Sequence, residues 1–172
     1  MKSMIAVLVL LTLPAWAGPI KVKMNIAELH RKMLVEIRKA APTAALKKAI
    51  VGKWYSTWHQ EQIFPGGCDE KKGYKDKVAD IQLSLYSPAE VEWEIRKVAG
   101  DLVLWDEEMK EGDTLEYYGN TFVTAGHKEH TKNPPMVHCT VLSFKERANV
   151  LVCWEPENNF GSECGWYGFY IR

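Results

Sequence analysis

The sequence predicts a mostly β protein: a single antiparallel up-and-down β-barrel of about eight strands, preceded by an N-terminal α-helix. Three observations predict it. Apolar residues recur at helical spacing before residue 51, and from Gly52 onward they alternate with a period of two. The alternating part is cut into short segments by hairpin-sized turns, the spacing of a meander that closes on itself or packs as a sandwich. The chain also carries 7 Trp and 7 Tyr, and closure removes the exposed strand edges that are a hazard in so aromatic a sequence.

Residues 1–17 read as a secretory signal peptide. Lys2 supplies the positive end, Ala6 to Leu13 the apolar stretch, and Ala15-Trp16-Ala17 a small-x-small cleavage site before Gly18. That stretch is shorter than the roughly 20 residues a bilayer span needs. No later run approaches that length, so the mature protein is expected to be secreted, extracellular and without a transmembrane segment.

Residues 18–51 form the N-terminal helical segment. Asn25 followed by Glu28 resembles a capping box, and Ile26, Leu29, Met33 and Ile37 then share one face. Pro42 breaks the helix, and a short second piece runs from Thr43 to Ile50. Such a helix plugs or buttresses a barrel end. Its mainly basic polar face also fits a helix lying on a membrane surface.

Residues 52–172 are the expected barrel. Candidate strands are 53–60, 78–86, 90–98, 101–105, 114–118, 120–125, 136–144, 149–154 and 164–171. They are punctuated by Ser87-Pro88, Gly100-Asp101, Glu111-Gly112-Asp113, Gly119-Asn120 and Pro134-Pro135. One connection is long: residues 61–77, between the first two strands. Unstructured loops beyond about 12–15 residues tend to be lids or binding loops.

Composition narrows the function. With 22 basic and 22 acidic residues there is no electrostatic case for nucleic acid or an anionic membrane. A monomer is expected. Cys68, Cys139, Cys153 and Cys164 contain no CxxC spacing, so two disulfides are expected in an exported chain, with three connectivities open. No Gly-x-Ser-x-Gly elbow, phosphate loop or HExxH occurs. His127, His130 and His138 could share a metal, and Cys139 beside His138 suggests a thiol–imidazole pair. Solvated histidines and a bridged cysteine are the simpler readings. No enzyme activity, catalytic residue, metal site or cofactor is expected.

Alternation nominates a ligand-binding set. In 90–98, Val91, Trp93 and Ile95 share one face; in 78–86, Ile81, Leu83 and Leu85 do; in 53–60, Trp54, Ser56 and Trp58 do. Later strands add Leu102 and Leu104 or Val103 and Trp105, then Tyr117 or Tyr118, Phe122, Val141 and Trp154. The set Trp54, Trp58, Leu83, Leu85, Trp93, Ile95, Tyr117, Phe122 and Trp154 is the expected lining of a cavity. An eight-stranded barrel can instead be filled by its own side chains. Glu92, Glu94, Asp106, Glu107, Glu116 and Glu155 are the acids nearest these walls.

Gly52-x-Trp54 at the head of the first strand, the helical turn before it, the long first loop and the late basic residue Arg172 together resemble the lipocalin family of the calycin group. The resemblance implies a cup in which Trp54 closes the base and Arg172 packs across its indole. A narrower resemblance, to the salivary lipocalins of ticks, rests on VHCTVLSF, NVLVCW and SEC between residues 137 and 164. Gly-x-Trp, the additional Cys153 and the missing C-terminal helix depart from that group. It implies a disulfide from Cys139 to Cys164, which leaves Cys68 for Cys153. The expected function is secreted sequestration of a hydrophobic or amphipathic ligand such as a lipid mediator, or of a biogenic amine such as histamine. The alternative is a protein-binding antagonist of host immunity or haemostasis, acting through loops such as 61–77 and 156–163 on a filled barrel.

Overall fold

The structure, a computed structural model, describes residues 20–57, 68–69, 73–74, 78–83, 91–125, 136–156 and 166–172. The signal peptide, most of the 61–77 loop, residues 157–163, Trp58, Leu85, His127, His130 and Cys164 lie outside the described residues. The elements run β1 (Ile20–Asn25), α1 (Ile26–Ile37), α2 (Ala44–Ile50), β2 (Gly52–Ser56), β3 (Cys68–Asp69), β4 (Gly73–Tyr74), β5 (Val78–Leu83), β6 (Trp93–Val98), β7 (Asp101–Asp106), β8 (Glu111–Thr114), β9 (Glu116–Tyr118), β10 (Thr121–Ala125), β11 (Met136–Leu142), β12 (Val150–Glu155) and β13 (Trp166–Ile171).

The main sheet is antiparallel, in the order β8-β7-β6-β2-β13-β12-β11-β10-β9. The last strand returns to the first: Tyr170 pairs with Ser56 and Ile171 with Tyr55. At the other end of the order, β8 and β9 are separated only by Leu115, whose N–H donates to Leu102 O at 2.9 Å. β8 pairs with β7 while β9 pairs with β10. The single segment 111–118 therefore bonds a neighbour on each side, and the sheet becomes a nearly closed up-and-down barrel. The predicted fold class holds.

Several strands depart from expectation. The short β3 and β4 fall within the expected loop 61–77, and Glu111-Gly112-Asp113, expected as a turn, lies in β8, the turn falling instead at residues 107–110. β1 was not foreseen, because Ile20, Val22 and Met24 alternate with only two lysines before the helix begins. It pairs antiparallel with β5, Ile20 opposite Leu83 and Asn25 opposite Val78. The segment expected as the second barrel strand is thus the partner of β1 in a separate ribbon, and β6 takes its place beside β2.

Each wall of the barrel has its own core, as period-two alternation requires. Inside, Trp54, Ile95, Leu115, Phe122, Val137, Leu151 and Tyr170 pack with Leu46 and Ile50 of α2. Outside, Val150, Val152, Tyr167, Phe169 and Ile171 are covered by Ile26, Leu29 and Met33 of α1 and by Val22, Met24 and Leu83 of the ribbon. α1 is therefore a buttress on the outer wall of β12 and β13, while α2 packs into the interior cluster. Both helices are capped as their sequences dictate: Asn25 Oδ1 accepts from Glu28 N at 2.9 Å, and Thr43 Oγ1 accepts from Leu46 N at 3.1 Å.

The β9–β10 turn ties the barrel to the link between the helices. Asn120 N–H donates to Glu36 O, its Nδ2 to the Glu36 carboxylate, and its Oδ1 accepts from Thr43 N. Gly119 has φ +64, and a Cβ there would overlap Ile37 O. Only glycine allows this approach.

Candidate functional site

Trp54 joins β2 to α2 within the buried interior cluster. Its indole is fully buried, its Nε1 donates to Ile50 O at 2.7 Å, and the Arg172 guanidinium lies 4.1 Å from the ring centroid. Arg172 also donates to Val51 O at 3.0 Å and to Ala49 O. One arginine thus spans the α2–β2 junction and the indole beneath it, the pairing implied by the lipocalin resemblance. The Trp54 Nε1 is bonded to the Ile50 carbonyl of α2, so its polar atom is already used.

Register identifies the walls. Trp54 is opposite Trp93, Ile95 opposite Leu104, Phe122 opposite Tyr117 and Cys139, and Leu151 opposite Tyr170. Directly paired residues share a face, so Trp93, Leu102, Leu104 and Tyr117 turn inward with the buried cluster. Of the nominated residues, Trp54, Ile95 and Phe122 belong to the filled part of the interior. Trp93 and Tyr117 are only partly buried and border it. At the open choices, Leu102 and Leu104 face in rather than Val103 and Trp105, and Tyr117 rather than Tyr118.

Two nominated residues lie elsewhere. Leu83 packs in the outer core through the β1–β5 ribbon. Trp154 also faces outward, because its neighbour Cys153 points in, and it sits between two histidines. Its ring is 5.0 Å from His30 and 6.0 Å from His138. His30 Nδ1 meets Tyr167 Oη at 2.7 Å, and His138 Nδ1 meets Thr121 Oγ1 at 3.2 Å. Burial lowers the pKa of both histidines. His138 is thus part of an aromatic layer under α1. Among the described residues, no three His, Cys, Asp or Glu side chains converge on a possible metal position.

The interior also holds the disulfide. Cys139 and Cys153 are direct cross-strand partners on β11 and β12 and are bonded to each other. This corrects the pairing implied by the tick resemblance, Cys139 with Cys164 and Cys153 with Cys68. Register decides it: adjacent inward side chains on paired strands are already within bonding reach.

The polar chemistry of the interior is sparse. Trp93 Nε1 and Tyr117 Oη are buried atoms with no hydrogen-bond partner among the described residues. Burial raises the Tyr117 pKa, so its hydroxyl stays a neutral donor and acceptor. Leaving such a group unsatisfied costs about 1–3 kcal/mol.

The acids separate clearly. Glu94 is held by Arg96 at 2.8 Å and Lys53 at 3.6 Å, and the Arg96 hydrogen bond foremost lowers its pKa. Asp106 accepts from Glu108 N and Met109 N in the β7–β8 turn. Glu107, hydrogen-bonded first by Lys110 and then by Trp105, has its pKa lowered to about 2. Glu92 and Glu116 are exposed. Only Glu155 is buried, at 1% exposure, on the inward face beside Cys153.

Sequence alternation did not nominate Tyr170 as a wall residue, and it named Glu155 only as an acid near the walls. Tyr170 is buried and meets Trp93 edge to face at 6.0 Å. Alternation along 164–171 does not by itself say which face points in. No family model, characterised protein or solved structure matches this chain.

Proposed function

We propose that this is a secreted, non-catalytic lipocalin-type binding protein that encloses a small amphipathic molecule in its barrel. One observation carries the reading. Trp93 Nε1 and Tyr117 Oη are buried on the inward face and have no hydrogen-bond partner among the described residues, beside the apolar Leu102, Leu104 and Tyr170. An apolar enclosure with a few unsatisfied polar groups is the usual make-up of a small-molecule site. A ligand that accepts from the indole and bonds the phenol offsets the desolvation cost of these two buried groups.

The amine form of this reading would use the Glu155 carboxyl, which is buried on the inward wall, as a hydrogen-bond acceptor. The signal-like residues 1–17 and the internal Cys139–Cys153 disulfide support export to an oxidising compartment.

Native mass spectrometry of the protein recovered from its own secretion tests the proposal, followed by NMR titration with the co-purifying compound. The Trp93 indole N–H signal should shift on binding, and Trp93→Phe should weaken affinity about tenfold, the value of one lost hydrogen bond. If the indole signal is silent and affinity survives in both Trp93→Phe and Tyr117→Phe, the barrel is a filled scaffold and the container reading fails. Glu155→Gln separates the ligand classes: a large loss marks an amine, and none marks a neutral or lipid ligand.

A further inference from the structure

We propose that the cleft between α1 and the β11–β12 turn is a second ligand site, outside the barrel, for a small single-chain amphiphile with a carboxylate head. The cavity measures about 260 Å³ and opens where Lys23, Met24 and Asn25 meet the first turn of α1 and residues 143–146. Its floor is apolar: Met24 and Leu29 are buried, and Phe144 packs against the same outer core. Its rim is charged, with Lys23, Lys32 and Lys145 against Glu28 and Glu146.

The charges do not balance. Glu28 is already held by Lys32 at 2.8 Å, which keeps its carboxyl ionised and its pKa low. That leaves Lys23 and Lys145 facing Glu146 alone among the lining residues, a surplus of positive charge over an apolar floor. An anionic head with a short aliphatic stem complements both parts. An amine meets like charge, and an uncharged alcohol uses only the floor. The volume lies below the roughly 300–1,000 Å³ of pockets for drug-sized ligands, which limits the occupant to a short chain.

The cleft is preformed. The Asn25 cap fixes the start of α1, and Phe144 N–H donates to Arg147 O at 2.8 Å across the β11–β12 turn. It is also separate from the interior. Met24 and Leu29 belong to the outer core, whereas Trp93 and Leu102 belong to the inner one, with the barrel wall between them. The proposal therefore stands or falls independently of the barrel ligand.

The test is methyl and indole NMR of the full protein titrated with octanoate. Saturable shifts are expected at the Met24 and Leu29 methyls. The exposed double variant K23E/K145E should weaken that response about tenfold, the scale of two surface ion pairs, while leaving the remaining spectrum folded. Octylammonium should leave the same methyls unmoved at equal concentration, and 1-octanol should shift them clearly less than octanoate does. Unmoved methyls with octanoate, shifts confined to barrel-facing groups, or an equal response to 1-octanol on the wild-type protein would each overturn the proposal.

Discussion

Removing the Arg172 side chain tests the base of the barrel directly. The guanidinium lies 4.1 Å over the Trp54 ring and donates to two carbonyls, Val51 O and Ala49 O, while its own backbone carbonyl accepts from Arg147. Arg172→Ala keeps that last bond and deletes the rest. A cation over an indole near the surface contributes about 0.5–1 kcal/mol. Each hydrogen bond adds a net of about 0.5–1.5 kcal/mol, here toward the lower end because both carbonyls are close to solvent. The expected destabilisation is therefore about 2 kcal/mol.

With a urea slope of about 1–3 kcal/mol per molar, the unfolding midpoint should fall by roughly 1 M at unchanged slope. Arg172→Lys keeps a cation but not the planar fork, and should recover only part of the loss. Urea titration followed by tryptophan fluorescence gives both values. The Trp54 indole N–H shift in NMR reports whether the ring has lost its cation. If Arg172→Ala unfolds at the wild-type midpoint, or the lysine variant restores all of it, the interaction is a surface decoration and the account of the base is wrong.

Three further outcomes follow from the same contacts. Non-reducing peptide mapping should recover Cys139 joined to Cys153, and C139A/C153A should lose about 3 kcal/mol, as expected for a closed loop of this size; a Cys139–Cys164 peptide would contradict the register. Gly119→Ala should lower stability by about 3 kcal/mol, because a Cβ meets the Ile37 carbonyl and the φ of +64 already disfavours alanine. Retention of the wild-type midpoint would mean that the β9–β10 turn is not docked on α1. Stability should also fall as pH drops below about 6.5, where the unfolded chain binds protons that His30 and His138 resist in the fold. Burial depresses both histidine pKa values, so the loss sets in below the unfolded value and is complete once pH passes the folded ones. Urea midpoints at about pH 7.5 and pH 5 measure it, and H30Q/H138Q should flatten the profile.

Local chemistry by itself determined the elements whose partners are near in sequence. The Asn25 cap, the helical stripe Ile26, Leu29 and Met33, the stop before Pro42 and the alternation of Trp93 with Ile95 all follow from short-range sterics and from one face needing burial. The Gly52-x-Trp54 and Arg172 pairing was legible only through family resemblance, since nothing local links residues so far apart. Long-range pairing was decided by the tertiary structure. Alternation says that Trp154 and Cys153 point to opposite sides but not which side is the interior, because both faces of β12 are buried. The outer face is apolar because α1 and the β1–β5 ribbon cover it, and that ribbon could form only once residues 20–25 and 78–83 met. The same register brought Cys139 beside Cys153 and turned Glu155 inward. Spacing along a chain carries no information about which strand becomes its neighbour when several have equal periodicity.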